Sequence, residues 1–425
     1  MKSVFFLFST AFLLLNLNLQ LAAQNGERKK PELKDFGSSL NRTPEENLIR
    51  KFKKNTAGND EETIRIETNL VVVDFLVLDN KGRAIHGLTK DDFTITEDNQ
   101  AQEIQSFTLG DDAKIPRSIV LIIDYSGSQL PYIERSVEAA KLLVDKLRSN
   151  DLMALVTDDV ELIAQFTADK NLLKEKLDSL KESALVKRRL GKSKQFSSLY
   201  AVLNEMFDEE DVRPIILFQT DGDQLGALKG GYADLLAASF SRSNAGYITN
   251  FSLEDLLATL EKTRGTIYTI VPGVKLLGLS REERAAKMRE ENERRRQAYA
   301  ANRPPVTNPT PPRPTPEQME VMRKTAAQRA EIIKKHFPNG LPDPQETMAG
   351  LSKFSGGWID FLEKPEDADV VYSRILSEIN TRYIIGYYPS NEVKNGKRRV
   401  VKIEVKNHPE YIVWGRKTYI APLPD

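Results

Sequence analysis

The chain has 425 residues, 40% of them hydrophobic, and its 61 basic side chains balance 61 acidic ones, so its formal net charge is zero. That length fills two or three ordinary cores, and the charge balance provides no overall field to draw in nucleic acid or an anionic membrane. There is no cysteine, and the three histidines, His86, His336 and His408, share no ligand-like spacing; disulfide staples and thiolate sites are excluded, and a zinc enzyme is not expected.

Residues 1–23 carry Lys2, an apolar run from Val4 to Leu15 and the small pair Ala22 and Ala23. This is the pattern of a secretory signal peptide, with an apolar core too short for a permanent anchor. The expectation is an exported protein, periplasmic or secreted, without a lipidated cysteine and without a stable membrane span after cleavage. Residues 24–62 are polar, charged and aperiodic, which reads as a flexible linker. Residues 63–112 then alternate as strands, with β-rich sequence around Val71 and Phe75, turn chemistry from Asp79 to Gly82, and a further alternating strand from Phe93. This N-terminal β region is short for a sandwich and should borrow strands from elsewhere.

Residues 113–381 alternate strand and helix, which predicts a doubly wound, mostly parallel α/β domain with right-handed crossovers. Its first strand, Ile119 to Ile123, is continuously apolar, as a strand covered on both faces must be. A helical stripe follows at Val137, Ala140, Leu143, Val144 and Leu147. Strands are expected over 151–157, 160–167, 214–220 and 265–273, and helices over 171–180, 198–207 and 253–263. Residues 277–342 interrupt the order: Ser280 and Glu283 form a capping box, a charged helix follows, 304–316 is proline-rich, and Thr315, Pro316 and Gln318 open a second helix. Its thin apolar stripe reads as a solvated helical arm rather than a partner-binding one. The order resumes with helices over 347–354 and 368–381 around a strand near Trp358. Residues 382–425 are β again, with Asn395-Gly396 as a hairpin signal, and supply the strands that the N-terminal β region lacks.

Three loops carry oxygen ligands. Asp124-Tyr-Ser126-Gly-Ser128 follows the first apolar strand, Ser197 and Ser198 stand at the head of a later helix, and Thr220-Asp221-Gly222 follows the central apolar strand. Parallel sheets bind ligands beyond the carboxyl ends of their strands, so this topology gathers the three loops on one edge. Hydroxyl and carboxylate oxygens suit Mg²⁺ or Mn²⁺, and two carboxylates balance a divalent charge while leaving a coordination position open. A protein partner's Asp or Glu carboxylate could fill that position. Catalytic readings fit poorly: Asp124 and Ser128 occupy the glycine places of a nucleophile elbow, and Ser126 stands where a phosphoryl-transfer aspartate would want a second acid. Asp91 and Asp92, and the basic run Lys187 to Arg189, read as solvated charge; Asp223 reads as a surface turn, and Trp358 and Trp414 as core or interface rings.

On these motifs the chain resembles the von Willebrand factor A family and its metal-ion-dependent adhesion site. Residues 63–423 are similar to bacterial exported members that pair the A-type domain with a preceding β region and a tail like Tyr383-Ile-Ile-Gly-Tyr-Tyr. The resemblance implies a Rossmann-like domain in which Asp124, Ser126, Ser128 and Asp221 ligate the metal, directly or through water. Where the family has Thr in a Gly-x-Thr-x-Leu-Tyr context, this chain has Ser197, which keeps the hydroxyl but loses the stiffening methyl; Ser198 is a rival. The expectation is a non-enzymatic, adhesion-type, metal-dependent protein-binding module. The alternatives are an assembly scaffold with a vestigial metal site and a metal-assisted hydrolase.

Overall fold

The computed structural model describes residues 33–47, 70–112, 116–187, 193–208, 213–240, 248–301 and 314–422. The signal-peptide reading, most of the proline-rich run, and Arg188 and Arg189 fall outside the described residues. Among the described residues no helix is long and apolar enough to cross a membrane.

In chain order the elements begin with strands β1 (Val71–Leu78), β2 (Phe93–Glu97), β3 (Gln100–Gln102) and β4 (Ile104–Leu109). An alternating block follows: β5 (Ser118–Ile123), α1 (Leu130–Asp145), β6 (Leu152–Thr157), β7 (Leu162–Thr167), α2 (Lys170–Lys187), α3 (Gln195–Glu205), β8 (Pro214–Gln219), α4 (Tyr232–Phe240), α5 (Leu253–Thr263) and β9 (Thr266–Pro272). Helices α6 (Arg281–Ala301), α7 (Pro316–His336) and α8 (Pro344–Ser355) precede β10 (Ile359–Leu362) and α9 (Ala368–Thr381). The chain closes with β11 (Tyr383–Tyr387), β12 (Arg398–Val405), β13 (Ile412–Gly415) and β14 (Thr418–Ile420).

The central sheet has the order β10-β9-β8-β5-β6-β7. Its pairings are parallel except at the edge, where β7 runs antiparallel to β6. Strands β5, β6, β8 and β9 are buried along their whole length, because side chains alternate between two covered faces. Ile119, Leu121 and Ile123 join Ile215 and Leu217 under α1 and α9. Val120 and Ile122 join Ile216 and Phe218 under α3 and α5. Each such side chain contributes about 1.5–3 kcal/mol by leaving water, more than the net ~1 kcal/mol of a ladder hydrogen bond.

The remaining strands form two four-stranded antiparallel sheets, β13-β1-β11-β4 and β14-β12-β2-β3, each built from both the N-terminal and the C-terminal segment. They share a core in which Phe75 meets Phe93 edge-on at 5.3 Å between ring centroids, with Tyr383 beside both. The hairpin expected at Asn395-Gly396 does not join β11 to β12. Strand β11 already pairs with β1 on one side and β4 on the other, so β12 takes its place in the other sheet against β2 and β14.

The sandwich docks where the central strands begin. Arg117 and Arg213 immediately precede β5 and β8, and Arg382 links α9 to β11; all three are buried. Arg213 donates from Nε to Asp74 of β1 at 2.8 Å and from Nη1 to the Gly110 carbonyl at 2.9 Å. Arg382 pairs with Asp74 and donates to Glu378 and to the Tyr268 hydroxyl, both at 3.1 Å. Arg117 pairs with Asp151 and donates to Asn380 Oδ1 at 2.7 Å. Burial by itself would raise the Asp74 carboxyl, but Arg213 and Arg382 hold it below its ordinary value.

Within the stretch read as a linker, residues 33–47 are docked instead. Glu205, at the end of α3, accepts from the amides of Gly37 and Ser39 at 2.9 and 2.8 Å, and Phe36 and Leu40 pack on the core. Three apolar side chains, Leu33, Phe36 and Leu40, and one acid that meets a turn at the positive φ of Gly37 (88°) are a signal too sparse for periodicity to show. The arm has the expected caps at Ser280 with Glu283 and Thr315 with Gln318, and α7 has no buried residue. At its base, Arg284 donates to Glu346 of α8 at 2.6 Å.

Candidate metal-binding site

Three neighbouring strands of the central sheet, β6, β5 and β8, each run out into an aspartate: Asp158, Asp124 and, two residues beyond β8, Asp221. Asp124 forms the floor, fully buried, with its backbone amide bonded to the Gln219 carbonyl at 3.1 Å. Its Oδ1 accepts from the Ser126 amide at 3.0 Å, a local turn that draws the next residues back over it. Ser126 Oγ then lies 3.1 Å from Ser128 Oγ, and Ser128 Oγ donates to Asp221 Oδ2 at 2.8 Å. The structure thus brings Asp124, Ser126, Ser128 and Asp221 into one cluster, closed at its floor and exposed at Ser128.

Ser197, in the first turn of α3, is joined to this cluster indirectly. Its hydroxyl accepts from Gln224 Nε2 at 2.7 Å, its amide donates to Gln224 Oε1 at 2.9 Å, and the Gln224 amide donates to Gln195 Oε1 at 3.1 Å. Ser198 turns away: its hydroxyl donates to the Thr157 carbonyl at 2.7 Å and accepts from the Val160 amide at 3.0 Å, holding the β6–β7 turn. Asp223 is exposed at the start of a short 3-10 turn.

Four residues that the spacing of motifs did not point to complete the cluster. Gln195 Nε2 donates to Asp124 Oδ2 and to Asp221 Oδ1, both at 2.9 Å. Gln129 Nε2 donates to Asp221 Oδ2 at 2.7 Å and to Ser128 Oγ at 3.2 Å, while its buried Oε1 meets no donor. Gln224 holds Ser197, and Asp158 accepts from the Tyr125 amide at 3.2 Å and the Ser193 hydroxyl at 2.6 Å. Asp158 had a readable signal, since an apolar strand ending in aspartate is the same pattern that marks Asp124. The glutamines had none, because an amide's role depends on which way it is turned.

The electrostatics follow from this crowding. Burial pushes the Asp124 carboxyl up to about 8, and the charges of Asp158 and Asp221 add to the rise, while the hydrogen bonds from Gln195 and Ser126 oppose it. The donors to Asp124 and Asp221 among the described residues are backbone amides, a hydroxyl and side-chain amides, none of them charged. Hydroxyl and carboxylate oxygens are the donor set that a hard divalent cation takes. Among the described residues no three acidic or histidine side chains are grouped to hold an ion by themselves. A cation here therefore needs the serine hydroxyls as well as the two aspartates. The hydroxyl of Ser128 meets the Asp221 carboxylate and the Gln129 side-chain amide, and that of Ser126 meets Ser128. Trp414 donates its indole N–H to the Gly357 carbonyl at 3.1 Å, and Trp358 packs on the core, both away from the cluster's hydrogen bonds.

No protein-family model and no curated protein matches the chain. Among solved structures, a conserved hypothetical protein BatB from Bacteroides thetaiotaomicron aligns at 14% identity over 62% of this chain and 98% of its own, with a TM-score of 0.33. The vWF domain of the type V pili tip protein Mfa5 from Porphyromonas gingivalis aligns at 15% identity over 45% of this chain and 98% of its own, with a TM-score of 0.28. Manganese-loaded TRAP protein from Plasmodium vivax aligns at 11% identity over 78% of this chain and all of its own, also at 0.28. At scores this low the three likenesses carry no weight for site or partner.

Proposed function

We propose that the chain is an exported, divalent-metal-dependent protein-binding module of the adhesion type, which captures an acidic side chain of a partner at the cluster around Asp124. The observation that carries this reading is the contact of Ser128 with Asp221, which joins hydroxyl and carboxylate oxygens from two separate loops at the carboxyl edge of the sheet. Asp124 and Asp221 would supply the charge balance, Ser126 and Ser128 neutral oxygens, and Ser197 a further hydroxyl through the Gln224 bridge. Bound Mg²⁺ or Mn²⁺ supplies a Lewis-acidic position for a partner's carboxylate. The buried floor at Asp124 and the exposed rim at Ser128 orient that position toward solvent, where a partner can reach it.

The test is thermal melting with Mg²⁺ or Mn²⁺ against chelator, in wild type and Asp124→Ala. A ligand that binds only the native state must raise its stability, so a melting curve unmoved by metal removes the proposal. A pull-down with and without chelator then asks whether partner capture depends on the ion. One observation favours a second reading, an assembly scaffold with a vestigial metal site: the amides of Gln195 and Gln129 already satisfy the aspartates. Metal-independent capture of a partner would select it. We propose no enzymatic role; turnover of an ester or phosphate that disappears in Ser126→Ala would overturn that.

A further inference from the structure

The amide of Gln195 can be turned only one way. Its oxygen faces the backbone N–H of Gln224 at 3.1 Å, which can only donate, and this fixes its nitrogen toward Asp124 Oδ2 and Asp221 Oδ1, at 2.9 Å each. The side chain is fully buried, so it has no solvent position to which it relaxes freely. One NH₂ group thus spans two acidic loops and lends a proton to each, on oxygen atoms that an ion shared by both aspartates would need.

We infer that Gln195 is a built-in competitor for the cation, a positioning residue that holds Asp124 and Asp221 together and sets the threshold concentration at which an ion displaces it. The inference rests on the metal-dependent reading above. Rotating the amide by half a turn does not resolve the competition. It would offer Oε1 to the ion but point NH₂ at the Gln224 N–H, donor against donor. Displacement therefore requires the side chain to swing, which loosens the Gln224 contact that also holds Ser197. Ion entry and the placement of the Ser197 hydroxyl are in this way one event, with Gln195 and Gln224 as the linkage. Charge-assisted hydrogen bonds of this kind are among the stronger ones, so the threshold is not a small effect.

Isothermal titration with Mn²⁺ tests this on the full chain. Gln195→Met keeps the volume and removes the NH₂ donors. The expected result is Mn²⁺ binding about tenfold tighter than wild type, together with a lower melting temperature in chelator; a merely structural glutamine would leave affinity unchanged or weaken it. Equal or weaker binding by Gln195→Met, with wild type binding normally, overturns the competitor while leaving the metal site standing. Absence of Mn²⁺ binding in both overturns the two readings together. A second measurement needs no variant: in wild type, the Gln195 side-chain amide protons should exchange slowly in chelator and faster, with shifted resonances, when Mg²⁺ is added. Unmoved resonances in protein that binds Mg²⁺ overturn the inference.

Discussion

The central sheet carries buried charge at both ends of its strands, and the two ends are finished in opposite ways. At the amino edge Arg117, Arg213 and Arg382 meet Asp151, Asp74 and Glu378, and spare donors go to backbone carbonyls and the Tyr268 hydroxyl. At the carboxyl edge Asp124 and Asp221 stand near each other, and the groups that reach them are neutral. The first edge pairs opposite charges and fastens the sandwich. The second is held by neutral amides and hydroxyls, which leave the negative charge uncompensated and which an incoming ion can replace. A buried pair is costly to break from one side because the other charge is stranded; a cluster of like charges is costly to leave alone.

The sharpest way to break the comparison is Asp74→Ala. It leaves Arg213 and Arg382 buried without their shared carboxylate, and we expect a loss of about 3–5 kcal/mol in urea unfolding. A loss below about 1 kcal/mol would mean the amino edge is no better matched than the carboxyl edge. Next comes Asp124→Asn, followed as stability against pH in chelator. Because the folded protein raises this carboxyl to about 8, it binds the proton more tightly than the unfolded chain does. The stability from the protonated form is present below about pH 4 and is lost as pH rises through about 8. Asn removes that loss, so the variant should exceed wild type above pH 8, with a flatter slope between. Saturation of the wild type with Mg²⁺ or Mn²⁺ at about a hundred times Kd should add about 2.7 kcal/mol, absent in Asp124→Ala. The smallest effect is Ser197→Ala, which strands the Gln224 side-chain N–H and should cost about 1 kcal/mol in the same unfolding assay. Unchanged Mn²⁺ affinity in that variant would place Ser197 outside the ion's ligands.

What the sequence made legible follows from how each feature is encoded. Runs such as Ile119 to Ile123 and Ile215 to Phe218 announce buried parallel strands because both faces are covered, and the aspartates at their ends stand out against that background. The borrowing of C-terminal strands by the N-terminal β region was readable from its incompleteness. The partition of β11 and β12 between two sheets was not, since Asn395-Gly396 favours a turn locally whatever the strands beyond it do. Gln129, Gln195 and Gln224 were invisible for a different reason. Glutamine has no spacing signature, and its part here is set by which atom of the amide faces which loop. Residues 33–47 read as linker because three scattered apolar anchors, Leu33, Phe36 and Leu40, show no period, yet they dock the stretch when Glu205 supplies the polar contact.

The sandwich has a consequence for how the chain is made. Asp74 and Arg382, which meet at its base, are 308 residues apart. Closing so long a loop costs little more entropy than closing one half as long, about 0.6 kcal/mol per doubling, yet pairings this distant form late. Strand β1 leaves the ribosome early and then waits for β11 and β13, its partners on both sides. A chain stopped before residue 383 would keep the central strands β5 to β10 but leave β1 with two bare edges and Phe75 uncovered. Such a product should be a ready target for proteases, because the bare edges of β1 present unpaired backbone to them.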